Sequence, residues 1–198
     1  MKINYTSARA ALISSLALVA SLNLHAANAP VQADAYVQTG TSANLNFGNV
    51  AAVNVSSTSS GLLRFDFSSV PVNVNPAAIQ KATLALYVNK VLTPGSISLS
   101  SLYSAWSEGT VTGTTSLSSG AVITTVPVTS QNVWVQIDIT EQVRAWVANP
   151  GSNLGLIIKP GLSDPNTSLS FDTKENTTTS HPAYIDLALS DSAGAGVT

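Results

Sequence analysis

The chain has 198 residues and no cysteine, which excludes disulfide staples, thiolate metal sites and cysteine nucleophiles together. Small exported domains often depend on disulfides, but a chain of this length buries enough core without them. Histidine is nearly as scarce, with only His25 and His181. Charged residues make up 9% of the chain, against about a quarter in an average globular protein. There is no basic run, so nucleic acid is excluded as a partner. Setting aside Lys2 and Arg9 near the N-terminus leaves six basic residues against ten acidic, a net charge of −4. Long hydrophobic runs are missing beyond the first two dozen residues, which predicts no membrane span.

That first segment reads as an export leader. Lys2 and Arg9 supply its positive end, residues 10–22 its apolar stretch, and Leu24-His25-Ala26-Ala27-Asn28-Ala29 its small-residue exit. Cleavage is expected after Ala26, because a cut after Ala29 would place Pro30 directly behind the scissile bond. The apolar stretch is too short for a bilayer, which needs about 20 residues. Residues 1–29 are therefore set apart from the fold, and the mature protein is expected to be secreted, to the extracellular space or the cell surface.

What the remainder does contain is period-two alternation. Ala82, Leu84, Leu86 and Val88 alternate with Thr83, Ala85 and Tyr87. Val133, Val135, Ile137 and Ile139 alternate with Trp134, Gln136 and Asp138, and Ala183, Ile185, Leu187 and Leu189 with Tyr184, Asp186 and Ala188. Leu63, Phe65 and Phe67 face away from Arg64 and Asp66. Each run predicts a half-buried antiparallel strand. Proline and glycine turns separate the runs, and a loss of phase between Ile97 and Leu102 predicts a bulge. One segment has helical spacing instead: Ile139, Val143, Trp146 and Val147, with Thr140 as N-cap, Glu141 in the first turn and Asn149-Pro150-Gly151 as the stop. The expected fold is all-β, an antiparallel jelly-roll-type sandwich of roughly nine strands with one short helix at about 140–148. The domain is expected to span residues 33–190, followed by a flexible tail at 191–198.

Four separated strings, A-D-A-Y-V at 33–37, L-L-R-F-D-F at 62–67, W-S-E at 106–108 and F-D-T-K-E at 171–175, stand out. With N-F-G at 46–48, A-T-L-A-L-Y-V at 82–88 and I-D-I-T-E-Q-V-R-A-W at 137–146, their order and spacing resemble the DNRLRE-domain family, close to family 96 of the carbohydrate-binding modules. The resemblance covers residues 33–190. It implies an extracellular β-sandwich of a kind usually attached to larger polymer-active or surface proteins.

Catalytic constellations are weak. His181, the one histidine outside the leader, precedes Pro182 at a strand entrance, and the chain has no G-x-S-x-G elbow, so it reads as a surface or turn residue. Asp66, Glu108, Asp138, Asp172, Glu175 and Asp186 are carboxylates available to a glycosidase, without a pattern that pairs them. No catalytic residue is assigned. Calcium has a candidate set in Asp34, Asn44, Asn46 and Asp186, oxygen donors that meet if the first and last strands lie side by side. The competing reading has Asp34 hydrogen-bonded to backbone or to Arg64. Sugar binding relies on flat aromatic faces flanked by polar groups. Trp134, Tyr36, Tyr87 and Tyr184 sit on polar strand faces, and Lys90 is a neighbouring cation. Trp134 is either solvent-facing or covered, Trp106 is a structural plug as readily as a platform, and Trp146 belongs to the inward face of the helix.

The sequence reading is thus a noncatalytic carbohydrate-binding or adhesion module for an extracellular polysaccharide or cell-surface glycan. The alternatives are a structural surface or matrix spacer without a sugar ligand and, last, a glycan hydrolase or lyase. The leader is checked by the mass of the exported chain, which should begin near Ala27; an exported chain retaining Met1 contradicts it.

Overall fold

The alternating runs do form strands. A computed structural model describes residues 24–190, and the leader's positive and apolar parts and the tail at 191–198 lie outside these residues. Ten strands are described: β1 (Leu24–Gln38), β2 (Ala52–Val55), β3 (Ser59–Phe65), β4 (Ile79–Thr93), β5 (Gly95–Leu102), β6 (Ser119–Val128), β7 (Val133–Asp138), β8 (Leu156–Pro160), β9 (Ser168–Asp172) and β10 (Tyr184–Ser190). The single α-helix among the described residues, α1 (Thr140–Ala148), follows β7. The strands form an antiparallel β-sandwich, with β1 shared by its two layers.

Residues 24–30 of β1 pair with β10, and residues 31–38 pair with β3 across a register shift between Val31 and Ala33. The strand bends there and passes from one layer to the other, as bulged strands do at sandwich corners. In the first layer β4 is central. It carries β7 along one side, and on the other side β10 followed by β9, with β2 beyond β9. The second layer runs β1, β3, β8, β5, β6. The loss of phase in β5 is a pair of register shifts on either side of Ser100. The residues expected as the leader's exit lie in the first half of β1, where Ala29 is fully buried.

The inward faces meet in one core containing Leu63, Phe65, Leu84, Leu86, Ile137, Ile185 and Leu187. Val135 is only partly buried against it, because β7 pairs with β4 alone and lies at the edge. Trp146 and Val143 of α1 close one end of this core. Ile139, not Thr140, is the N-cap residue, and Asp138, which the sequence also offered as a helper, caps the first turn. Asp138 Oδ1 accepts from the Thr140 amide at 2.9 Å and its hydroxyl at 2.6 Å, while Thr140 Oγ1 accepts from Ala82 N of β4 at 2.9 Å. The cap therefore also fastens α1 to the sheet.

The second layer departs from the half-buried expectation. Its outer face carries a second apolar cluster, where Trp106 and Val111 pack on Ala33, Ala35, Leu62, Leu102 and Ile157. The segment between β5 and β6 covers that face over β1, β3, β5 and β8, which are largely buried on both sides there, while β6 at the edge stays largely exposed. Phe65, 1% exposed in the main core, provides the test of this packing. Phe65→Ala should cost about 3–5 kcal/mol of unfolding free energy in a denaturant titration, and a change below about 1 kcal/mol would contradict the packing.

Candidate functional site

The outer face of the first layer stays open, and four rings gather on it. Tyr87 of β4 and Trp134 of β7 are direct cross-strand partners, a pairing that brings side chains within contact. Their rings meet edge to face at 5.4 Å. Tyr184 of β10 pairs with Ala85, and the small Ala85 side chain leaves room for Trp134 to reach diagonally to the Tyr184 ring at 5.3 Å. His181 stacks on Tyr87 with ring centres 3.9 Å apart and lies 5.7 Å from Trp134. Trp134 is 38% exposed, against 7% for Trp106 and 2% for Trp146. Of the sequence-derived residues, the fold thus brings together Trp134, Tyr87 and Tyr184.

Two others lie elsewhere. Tyr36 is 8% exposed, its ring stacked on Phe47 at 4.3 Å, so it serves the core and offers no platform. Strand alternation alone misplaced it, because the loop after β1 folds Phe47 back over the strand. Lys90 is exposed on β4 opposite Ser170, past a register shift after Val88, and makes no cation–π contact with the rings.

His181 joins the rings through a loop that its isolated position in the sequence did not reveal. Between β9 and β10 the chain winds around Asp172, which is 2% exposed. Its carboxylate accepts from Asn89 Nδ2 at 2.6 Å, Asn176 Nδ2 at 3.0 Å and Thr179 Oγ1 at 2.5 Å, and faces His181 Nδ1 at 3.3 Å. Asn176 Oδ1 in turn accepts from the amides of Thr178 and Thr179. The only signal for this arrangement was the F-D-T-K-E string itself.

The same string enters a second polar cluster, which holds Asp34 apart from the other three residues offered for calcium. Asp186 pairs with Asn28, six residues along β1 from Asp34, and accepts from Asn28 Nδ2 at 3.2 Å. Asn46 uses its Nδ2 on the carbonyls of Glu108 and Val111, both at 2.7 Å, and Asn44 is exposed. Asp34, Asn44, Asn46 and Asp186 therefore form no common coordination sphere. Asp34 instead meets Glu108 and Glu175, their oxygens within 4.8 Å of one another. The positive charge among them is the chain's own: Lys174 Nζ bonds Glu108 and Glu175 and lies 3.5 Å from Asp34 Oδ1. Asp34 Oδ2 accepts from the Lys174 amide at 2.9 Å, and Glu108 Oε1 accepts from the Asp34 amide at 2.7 Å. Asp34 is thus bonded to backbone, as one reading had it, but to Lys174 and not Arg64.

Burial first of all raises the Asp34 pKa from the ordinary carboxylate value to about 7, aided by the neighbouring Glu175 and opposed by the bond from the Lys174 amide. Asp34 Oδ1 and Glu175 Oε2 are buried without a hydrogen-bond donor, and a proton held on Asp34 allows it to donate to Glu175. Burial works against the Lys174 ammonium, but its bonds to Glu108 and Glu175 outweigh this and hold its pKa above the usual lysine value. For Glu175 burial likewise opposes ionisation, and the bonds from Lys174 and Asp34 prevail, so its pKa is lowered.

Arg64 and Trp106 complete the scaffold. Trp106 Nε1 donates to Leu154 O at 2.9 Å, and Arg64 lies 5.5 Å over the indole while donating to Trp106 O at 3.2 Å. Trp106 is a plug. Gly48 sits so close to the W-S-E segment that a Cβ there would fall 2.1 Å from Glu108 O, so only glycine fits.

The cluster makes stability depend on pH in a calculable direction. Between about pH 4 and 7 folded Asp34 keeps a proton that the unfolded chain releases, so its contribution falls as pH rises through that window. The Glu175 contribution has the opposite sign and is lost only as pH falls below the normal glutamate range. Thermal melts should therefore fall between pH 5 and 8, with a shallower slope in Asp34→Asn, which keeps the acceptor and the donor without the ionisation. In the same melts Lys174→Met should lose roughly 3 kcal/mol or more, and EDTA should leave the wild type unchanged. An equal slope in Asp34→Asn, or an EDTA-sensitive melt, contradicts this description.

Comparison with known proteins adds one finding. No curated protein matches the chain. The sequence model for carbohydrate-binding module family 96 matches residues 25–186, nearly the whole described domain, including every string that meets at the Lys174 cluster and the strands that carry the rings. The chain belongs to carbohydrate-binding module family 96.

Proposed function

We propose that this protein is a secreted, noncatalytic module that binds an extracellular polysaccharide or cell-surface glycan on the open face of the first layer. The observation that carries the reading is the cluster of Tyr87, Trp134, His181 and Tyr184, held in mutual contact and partly exposed. Rings fixed by strand pairing lose little freedom on binding and offer apolar faces to the C–H surfaces of pyranose rings. Polar groups flank them by register. Gln136 lies opposite Ala85, and Thr83 lies between Asp138 and Asp186. A sugar chain running along β4 thus passes from rings to amide, hydroxyl and carboxylate acceptors. Family membership supports carbohydrate as the ligand class.

The charges on this face offset one another: Asp138 and Asp186 are exposed on it, and Lys81, two residues along β4 from Thr83, is exposed beside them. With no excess of positive charge to attract a polyanion, the reading is an uncharged glycan. His181 is a further contact residue: its ring forms part of the surface, and Asp172 fixes it against Tyr87.

Stacking and neutral hydrogen bonds over a small area give affinities between about millimolar and micromolar. Titration against a polysaccharide panel by calorimetry or affinity electrophoresis should find such binding, little changed by salt. Trp134→Ala should weaken it about tenfold or more, the loss expected for a stacked ring, with His181→Ala intermediate and Lys90→Ala close to wild type. Steep salt dependence with Lys90 dominant would replace this reading with an anionic-polymer binder. No retention on any polysaccharide would favour a structural spacer.

A further inference from the structure

A strand at the edge of a sheet presents unpaired main-chain groups, and natural domains protect such edges with shortness, proline, bulges or charge. β2 is four residues long, and β6 carries Pro127 and two register shifts against β5. β7 has none of these devices. Its six residues pair with β4 without a register shift, contain no proline, and carry no charge before Asp138 at the end. Among the described residues β4 is the only strand that pairs with it. The hydrogen bonds beyond the ends of β7 show which of its groups are left over. Ile139 N donates to Ala82 O at 3.0 Å, and Asn132 N donates to Val88 O at 2.7 Å. Ladder alternation between these two points turns the main-chain groups of Val133, Val135 and Ile137 toward β4 and those of Trp134 and Gln136 outward. The inward side chains are also incompletely covered at this edge, for Val133 is 40% exposed where Ile137 on the same face is 2% exposed.

We propose that β7 pairs antiparallel with β7 of a second copy of this chain, joining the first layers of two domains into one sheet. The contact is isologous: the outward N–H and C=O groups of Trp134 and Gln136 in one copy meet those of the other, donor to acceptor. Charge favours a copy over a charged partner strand. Residues 109–137, which include β6 and all of β7 except Asp138, hold no charged residue. Two copies therefore meet at this edge without local repulsion although the domain as a whole is acidic, and a charged peptide finds no counter-charge there. The Asp138 carboxylate is already engaged by the Thr140 amide and hydroxyl. A twofold axis normal to the sheet keeps inward faces inward, so the valines of each edge gain cover from the other copy. The same axis sets both ring faces on one side of the joined sheet. On the reading of that face as a glycan site, which this consequence rests on, one polymer meets two sites together, and avidity follows without any new contact.

So short an edge gives a weak dimer, with a dissociation constant of roughly micromolar to millimolar. Sedimentation velocity of the exported chain up to about 1 mM should therefore show monomer passing to dimer as concentration rises. Over the same range the backbone amide signals of Trp134 and Gln136 should shift in nitrogen-15 NMR of the unsubstituted protein, a readout that depends on no variant folding. Val133→Lys sets a charge at the contact, and Gln136→Pro removes an outward N–H that the domain's own ladder does not use. Each should weaken the dimer by about tenfold or more. A chain that stays monomeric throughout, a dimer that both substitutions leave intact, or one lost only in Trp134→Ala overturns the proposal. Glycan binding by a strictly monomeric chain overturns the pairing and leaves the proposed function standing, whereas an edge-paired dimer that binds no polysaccharide supports the pairing and removes that function.

Discussion

The Lys174 ammonium among three carboxylates is the contact on which the rest of the domain depends. Asp34 lies on β1, Glu108 in the segment covering the second layer, and Glu175 in the loop leaving β9. These regions are distant in sequence, and one internal cation holds them together, a role that a disulfide or a metal ion serves elsewhere. Such a cluster is stable only when each charge finds partners, because a lone buried charge costs far more than its hydrogen bonds return. Asp34 meets that requirement by retaining a proton, which reduces the number of charges the single lysine must balance.

The cluster is connected to the ring face through one loop. Residues 174 and 175 anchor its beginning, Asp172 and Asn176 organise its turns, and His181 emerges at its end to stack on Tyr87. Tyr87 lies where β10 gives way to β9 alongside β4. That seam would otherwise leave the ring uncovered on one side. The ring face is thus held rigid by buried acids and amides beneath it, which would lower the ordering cost of the binding proposed there.

This division explains what was legible in the sequence. Alternation located β3, β4, β7 and β10 and their inward faces, and helical spacing located α1 at about 140–148, because burial imposes those periods locally. The strings of the family resemblance were equally visible, but they describe the scaffold: A-D-A-Y-V, W-S-E and F-D-T-K-E meet at Lys174, N-F-G docks on W-S-E through Gly48, and Arg64 covers Trp106. The ring face could be read only in part. Trp134, Tyr87 and Tyr184 followed from strand parity, whereas His181 depended on a loop path that no period encodes. Tyr36 shared their parity and still fell in the core, since parity states which side a residue faces but not what covers that side. The four residues offered for calcium were kept apart for a related reason. Adjacent first and last strands were foreseen, but antiparallel register placed Asp186 beside Asn28 and left Asp34 to other partners.

The account's central claim is that glycan lies on Trp134. Because Trp106 and Trp146 are nearly inaccessible and Trp134 is not, mild oxidation of indole side chains followed by peptide mass analysis distinguishes them. Trp134 should oxidise first in the free protein and be protected when a polysaccharide that the domain binds is saturating. Oxidation of Trp134 at an unchanged rate in that complex would place the glycan elsewhere and contradict the account.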